Sequence, residues 1–172
     1  MTHANRGMDF EALIERSNSA YETEGLAIVN KRPTPVRVVK NVKGKLSGFY
    51  EKPSTVDFDG TLSGGRSVVF EAKQVKKAPR FDLDNISDHQ VEYLAKCHLL
   101  GGIAFVLIEL VQVNTIYLLP YPTFKTFWDR REDGVRGCKS ISLEALDVHA
   151  EVVKSGLVPV DWLPVVNKIW CI

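Results

Sequence analysis

VDFDGTLSGGRSVVFEAK, residues 56–73, decides the fold, because it predicts two neighbouring strands joined by a glycine-rich turn. Its second half, VVFEAK, is apolar enough to lie inside a sheet, yet it ends with a glutamate and a lysine. Side chains alternate between the two faces of a strand. We therefore predict that opposite faces carry the two sets Val69, Glu71, Lys73 and Val68, Phe70, Ala72.

The rest of the chain surrounds these two strands with helices and further strands. Hydrophobic periodicity and capping residues predict helices at residues 9–24, 87–100, 122–133 and 141–153. Strands are predicted at residues 26–35, 103–111 and 114–122, and a polar loop at 74–85. This order predicts an α/β fold with one mixed sheet flanked by helices. The length favours a single domain spanning residues 1–172.

Positive charge is concentrated in two segments. Residues 31–52 hold seven basic residues and one acid, residues 73–80 hold four basic residues and no acid, and the rest of the chain carries a net charge of −9. The alternating segment VRVVKNVKGKLSGFYEK predicts a β-hairpin at about residues 36–52 that turns at NVKGK. A basic hairpin is typical of a protein that binds a polyanion, although a solvated lysine-rich hairpin would show the same charge.

The composition disfavours several classes of protein. No apolar run approaches the roughly 20 residues that a membrane helix requires, and the N-terminus lacks an apolar stretch of signal-peptide type. We therefore expect a cytoplasmic protein that has no membrane partner. The cysteines are far apart and the histidines share no ligand spacing, which disfavours a disulfide framework or a zinc site. GTLSGG joins strand to strand, unlike nucleotide-binding loops that open a helix.

The charged residues of the two central strands suggest a chemistry. VDFDG can bring Asp57 or Asp59 beside Glu71, with Lys73 on the same face. Neighbouring carboxylates repel each other and burial makes both costlier to ionise, so a divalent cation would stabilise them. Mg²⁺ commonly binds one or two carboxylates together with water and phosphate oxygens, and a nearby lysine can stabilise charge that develops on a phosphate. The pattern suits metal-assisted phosphodiester hydrolysis; its alternative is an exposed Glu71–Lys73 ion pair.

Seven collinear stretches of the chain resemble the RecU family of Holliday-junction resolvases. They are NRGMDFEALIERSN, KRPTPV, KPSTVDFDG, VFEAK, DHQVEYL, GGIAFVLI and YLLP, and the match as a whole spans roughly residues 5 to 145. The resemblance implies a restriction-endonuclease-like fold of the PD-(D/E)xK class with a protruding basic hairpin stalk. It also implies a homodimer that uses Mg²⁺, or Mn²⁺ as a substitute, to cut two opposed strands of four-way junction DNA and leave 5′-phosphates.

The same resemblance implies roles for individual residues. The family's metal-binding positions fall on Thr55, Asp57, Glu71 and Gln90, and its catalytic lysine falls on Lys73. Asp57 and Glu71 thereby count as catalytic residues as well. One extra residue lies between the aspartate and the glutamate, within the GTLSGGR turn, where an insertion is tolerated. This leaves Asp59, which precedes the turn, as the alternative to Asp57.

We also expect several basic residues to contact DNA. The hairpin lysines would contact phosphates at the crossover of the DNA junction. The other expected contacts come from the NRG motif near the N-terminus and from the segment after the VVFEAK strand. The set is Arg6, Lys40, Lys43, Lys45, Lys76 and Arg80. The alternative for Arg6 is an ordinary surface arginine. The hairpin is short, which resembles phage-type members of the family, and its interaction with a recombinase is left open.

Other residues allow two interpretations each. A first-helix acid, Glu11 or Glu15, could approach the metal or could simply be solvated, and His89 is expected to be a surface or packed histidine. Two aromatic groups are expected in the core or at a dimer contact, with stacking on bases as the alternative: Phe124, Phe127, Trp128 and Trp162, Leu163, Trp170. The C-terminal stretch at 158–172 lies outside the resemblance and is expected to pack on a partner subunit or on the sheet.

Two rival functions are compatible with the same residues. One is another nuclease of the same fold, such as a phage exonuclease or a restriction-type endonuclease. The other is a non-catalytic protein that binds or bridges DNA junctions through its basic hairpin. Cleavage of plain duplex DNA would favour the first, and undiminished function of Glu71→Gln or Lys73→Ala would favour the second.

Overall fold

A computed structural model describes residues 9–50, 55–132 and 138–172 of the chain. The helices are α1 Phe10–Thr23, α2 Asp88–Leu99, α3 Tyr121–Asp129, α4 Leu143–His149 and α5 Leu163–Trp170. The strands are β1 Ala27–Lys31, β2 Val36–Val42, β3 Lys45–Tyr50, β4 Phe58–Leu62, β5 Ser67–Val75, β6 Arg80–Asp82, β7 Ile103–Leu110, β8 Thr115–Pro120, β9 Ser140–Ser142 and β10 Glu151–Val153.

A mixed sheet forms the centre of the described structure, with the strand order β1-β4-β5-β7-β8-β10. The central pair β5–β7 is parallel, and the remaining pairs are antiparallel. A parallel pair needs a long crossover, and α2 lies within the segment that connects β5 to β7. The predicted mixed sheet with flanking helices is therefore confirmed.

The two faces of the sheet pack against different helices. The Val68, Phe70 and Ala72 face of β5 joins a hydrophobic cluster with α1 and α5, whereas Val69 joins a cluster with α2, α3 and α4. The predicted alternation along β5 is thus confirmed. Because Glu71 and Lys73 follow Val69 on its face, they lie on the side of the sheet that α2 covers.

Two predicted elements were wrong. The segment predicted as a polar loop at 74–85 contains β6, which pairs with β9 and buries Phe81 against the sheet. The segment predicted as one helix at 141–153 is divided into β9, α4 and β10, and β10 extends the sheet by pairing with β8. These strands are only three residues long, too short for a period-2 pattern to emerge from the sequence.

The C-terminal segment packs on the sheet, which was one of its two expected locations. Trp162 is fully buried, with its ring centroid 5.2 Å from that of Tyr21 and 5.4 Å from that of Phe70. Its Nε1–H donates a hydrogen bond of 3.0 Å to Oδ1 of Asn18 in α1. Both aromatic groups lie in or against the hydrophobic clusters, so the core interpretation of these residues is confirmed.

β2 and β3 form a separate two-stranded sheet, in agreement with the predicted hairpin. Its two-residue turn is Lys43-Gly44, and both residues have positive φ angles, 48° and 81°. Such a turn follows the right-handed twist of the flanking strands. All residues from 36 to 49 are exposed. The predicted hairpin continued to residue 52, and its last two residues lie outside the described part of the chain.

None of the helices in the described part of the chain is both long and apolar enough to cross a membrane.

Candidate active site

The strand register brings Asp57 and Glu71 together. Phe58 in β4 pairs with Phe70 in β5, so Asp57, just before β4, lies opposite Glu71. The backbone N–H of Asp57 donates to Oε2 of Glu71 at 3.2 Å, and the backbone N–H of Ala72 donates to Oδ2 of Asp57 at 3.0 Å. Main-chain pairing therefore fixes the two carboxylates at adjoining positions.

Lys73 lies between these two carboxylates. Its Nζ forms an ion pair with Oε1 of Glu71 and lies 3.6 Å from Oδ2 of Asp57. The Glu71 side chain is fully buried, whereas 25% of the Lys73 side chain remains exposed. Lys73 is thus the solvent-accessible partner of a fully buried carboxylate.

Gln90, on α2, is the fourth residue that contacts this cluster of Asp57, Glu71 and Lys73. Its Nε2 donates a hydrogen bond to Oε1 of Glu71. Its Oε1 accepts hydrogen bonds from the N–H and Oγ of Ser87, at 2.9 and 2.8 Å. Ser87 is the N-cap of α2, so a capping interaction at the start of this helix fixes the Gln90 amide. The Ser87 cap was predicted, but its hydrogen bonds to the Gln90 side chain were not.

The electrostatics of the pocket favour an added cation. Burial raises the pKa of Glu71 to about 8, and repulsion from Asp57 adds to the effect, whereas Lys73 opposes it. Burial alone would lower the pKa of Lys73, but the Glu71 and Asp57 carboxylates outweigh burial and raise it. A divalent cation close to both carboxyl groups would stabilise their ionised forms, which burial and mutual repulsion disfavour.

The donor set is also of the right kind for Mg²⁺. Within the described ranges, no cluster of three or more histidine, cysteine, aspartate or glutamate side chains exists that could hold a metal ion. Two carboxylates are nevertheless sufficient for Mg²⁺, which binds few protein ligands and keeps several waters. The residues therefore fit the predicted ion by their chemistry.

Thr55 precedes Asp57 by two residues and is held by Arg32. The Nη1 group of Arg32 donates to Oγ1 of Thr55, and its Nη2 lies 3.0 Å from Oδ2 of Asp59. Of the two alternative aspartates, the structure brings Asp57 to Glu71 and pairs Asp59 with Arg32. Arg32 itself was missed as a site residue, although it belongs to the quoted KRPTPV motif.

The first-helix acids contact a different lysine. Lys31 Nζ lies 2.6 Å from Oε2 of Glu11 and 4.0 Å from Oε1 of Glu15. Glu11 also makes a small contribution to the raised pKa of Lys73. His89 is exposed, with Nε2 3.2 Å from Oγ of Ser87. Its exposure agrees with the surface interpretation.

The predicted DNA-binding residues lie at the surface. Lys40, Lys43 and Lys45 are exposed on the hairpin, and Lys76 is exposed just after β5. Arg80 is exposed in β6, where its Nε lies 3.1 Å from Oδ1 of Asp82. Arg6 lies outside the described residues.

Comparison with known proteins places the chain in a family. The family model "Recombination protein U", or RecU, matches residues 5–168. Relatives include the Holliday junction resolvase RecU of Staphylococcus aureus strain JH9, which is 34% identical over 174 residues, with 97% of this chain and 82% of the relative covered. The protein of the same name from Staphylococcus saprophyticus is also 34% identical, with 97% and 79% covered.

A solved structure of Archaeoglobus fulgidus Hjc, a Holliday junction resolvase from an archaeal hyperthermophile, is similar over 82% of this chain and 94% of that chain, with a TM-score of 0.48 and 15% identity. The family match corrects one prediction, since the similarity extends to residue 168 and includes most of the C-terminal segment that was expected to lie outside it. The chain therefore belongs to the RecU family.

Proposed function

We propose that this protein is a metal-dependent endonuclease that resolves four-way DNA junctions by cutting two opposed strands. Membership of the RecU family and the names of its relatives support the substrate. The observation that carries the chemistry is the convergence of Asp57, Glu71 and Lys73 at one point of the sheet. An ion pair of structural value alone would not need a second carboxylate in the same pocket.

Asp57 and Glu71 would hold the metal, with Gln90 and Thr55 binding it or its waters. When bound, Mg²⁺, or Mn²⁺ in its place, supplies a Lewis acid that polarises the phosphate and lowers the pKa of a water ligand. Gln90 keeps the buried Glu71 carboxylate in one orientation, because its amide is itself fixed by Ser87. The backbone N–H of Ala72 does the same for Asp57.

Lys73 would act on the substrate directly. The two carboxylates raise its pKa, so the side chain stays protonated at neutral pH. An ammonium at the open side of the pocket can donate to a non-bridging phosphate oxygen, where negative charge grows in the transition state. A water molecule gives up a proton to solvent and forms the new P–O bond, the bond from phosphorus to the 3′ oxygen breaks, and that oxygen takes up a proton from solvent. The products are a 5′-phosphate and a 3′-hydroxyl.

A homodimer is the assembly that suits this reaction. Resolution requires two cuts in opposed strands, and each chain contributes one set of Asp57, Glu71 and Lys73. A two-fold axis would relate two such sites to the two-fold symmetry of the junction. The hairpin would then bring its exposed lysines to the phosphates near the branch point.

Synthetic substrates provide the test of this function. The four-way junction is expected to be cut symmetrically in Mg²⁺, with no cleavage in the presence of chelator and much slower cleavage of duplex, flap and single-stranded DNA. End-labelled products resolved on a denaturing gel give the rates and the phosphate position. Duplex cleavage at least as fast as junction cleavage would instead indicate a restriction-type enzyme. Junction binding without any cleavage would indicate a binding protein.

The hairpin lysines are expected to account for part of the salt dependence of junction binding. Replacing Lys40, Lys43 and Lys45 by glutamine removes three phosphate contacts, so the slope of log K against log salt concentration should fall by about 2 to 3. Fluorescence anisotropy with a labelled junction in chelator measures this slope. A matched triple variant with the same change of charge has glutamine at Lys96, Lys125 and Lys168, on three helices, and should leave the slope near the wild-type value. Equal slopes for the two triple variants would contradict the assignment.

A further inference from the structure

We propose that Arg32 is a positioning residue of the active site, which acts by holding the Thr55 hydroxyl and by joining the segments that carry the metal ligands. The inference deepens the proposed function and rests on it, because it assigns Arg32 a role through Thr55. Arg32 contacts Thr55 through its side chain and Asp57 through its backbone. Three sets of contacts support the assignment.

The first contacts join Arg32 to the segment that carries Thr55 and Asp57. The backbone N–H of Arg32 donates to the carbonyl of Asp57 at 2.8 Å, which extends the β1–β4 pairing by one residue. The guanidinium then donates to Oγ1 of Thr55 from its Nη1 group. A threonine hydroxyl has one hydrogen and two lone pairs. With one lone pair used by Arg32, only two orientations remain for the hydroxyl hydrogen.

The second contact is the ion pair with Asp59 in β4. Oδ2 of Asp59 lies 3.0 Å from Nη2 of Arg32, at the other end of the guanidinium fork. Asp59 compensates the charge of Arg32 and sets the plane of its side chain. This pair also accounts for Asp59, the alternative aspartate, which pairs with Arg32.

The third contact joins Arg32 to α2. The Cζ atom of Arg32 lies 5.1 Å from the centre of the Tyr93 ring, in the geometry of a cation–π interaction. Tyr93 follows Gln90 by three residues on α2, which corresponds to roughly one helical turn. One guanidinium therefore connects the Thr55–Asp57 segment, β4 and the helix that carries Gln90.

These contacts indicate that Arg32 positions other residues and does not itself bind a DNA phosphate. Both ends of the fork already have oxygen partners, and the tyrosine ring stacks against the guanidinium. An arginine with a paired carboxylate carries little net charge for attracting a polyanion. Groups that hold a metal ligand in place commonly change metal affinity or activity by about 10- to 100-fold when removed.

Binding of Mn²⁺ to the DNA-free protein, measured by isothermal titration calorimetry, tests the inference without relying on activity. Arg32→Ala is expected to weaken Mn²⁺ binding by about 10-fold or more. Arg32→Lys should weaken it similarly, since an ammonium cannot reproduce the two-pronged contact with Thr55 and Asp59. Junction affinity in chelator should stay within about twofold of wild type, because no phosphate contact is lost. Arg66→Ala, which removes an arginine that donates to the carbonyl of Gly101, is the matched control.

A double variant shows whether Arg32 acts through Thr55. Thr55→Val removes the hydroxyl with little change of shape, and adding Arg32→Ala to it should weaken Mn²⁺ binding by much less than Arg32→Ala does alone. Thermal unfolding establishes that each variant is folded. If Arg32→Ala does not fold, the same Mn²⁺ titrations are made with Arg32→Lys, alone and combined with Thr55→Val.

Two results would overturn the inference: wild-type Mn²⁺ affinity in Arg32→Ala or Arg32→Lys, or full additivity in the double variant. An accompanying fall in junction affinity would identify Arg32 as a phosphate contact instead. A wild-type protein that binds no Mn²⁺ at all would overturn the proposed function itself, and the two failures are therefore distinguishable.

Discussion

Lys73→Ala is expected to cut a four-way junction about 10²- to 10³-fold more slowly than the wild-type protein, with junction affinity unchanged. The ammonium is the only cation that the described residues place between Glu71 and Asp57. Removing a preorganised donor to a developing oxyanion typically costs a factor of this size. Single-turnover cleavage with protein in excess isolates the chemical step, and anisotropy in chelator reports binding.

The control for this prediction is Lys96→Ala. It removes an exposed lysine of α2 that forms an ion pair with Glu92, one turn earlier on the same helix. Its cleavage rate should match wild type. Glu71→Gln should show the same loss of cleavage with retained binding, because it removes a candidate metal ligand of nearly equal shape. If Lys73→Ala or Glu71→Gln still cuts at the wild-type rate, the assigned site is wrong.

Trp162→Ala is expected to lower the free energy of unfolding by about 3–5 kcal/mol, the usual cost of truncating a buried aromatic side chain. The Trp162 ring is fully buried against Tyr21, Phe70 and Phe105. The substitution leaves a cavity between α1, the sheet and the C-terminal segment, and it also deprives Oδ1 of Asn18 of its donor. Urea unfolding followed by far-ultraviolet circular dichroism measures the change.

Trp170→Ala provides the matched comparison for this effect. Trp170 lies at the end of α5 and is only partly buried, with its ring centroid 6.2 Å from that of Phe105. Its truncation should therefore cost clearly less than that of Trp162. A loss below about 0.5 kcal/mol for Trp162→Ala, the usual range for surface substitutions, would mean that the C-terminal segment does not belong to the core.

Much of the sheet and the position of the candidate site could be predicted from the sequence, because both depend on local patterns. The alternation in VVFEAK placed Glu71 and Lys73 on one face, and adjacency of the two strands brought an aspartate to Glu71. Pattern alone could not decide between Asp57 and Asp59, since both lie on the same face of one strand. The register of β4 against β5 decides that question, and register depends on tertiary pairing.

The features that were missed depend on long-range contacts. β6 and β9 are separated by residues 83–139, and each is stabilised by pairing with the other rather than by its own composition. Trp162 reaches α1 across more than a hundred residues of sequence. Arg32 looked like one more member of a basic segment, because nothing in its neighbours indicates that Thr55 and Tyr93 would converge on its side chain.

The separation of the β2–β3 hairpin from the main sheet has a consequence for variation in this protein. Among the described residues, the hairpin adds no side chain to either hydrophobic cluster. Its length and charge can therefore diverge without altering the interior on which thermal resistance depends. Contact with a branched substrate and the thermal stability of the rest of the protein can therefore vary independently. Exchanging the hairpin between homologues should change substrate contact and leave the melting temperature unchanged.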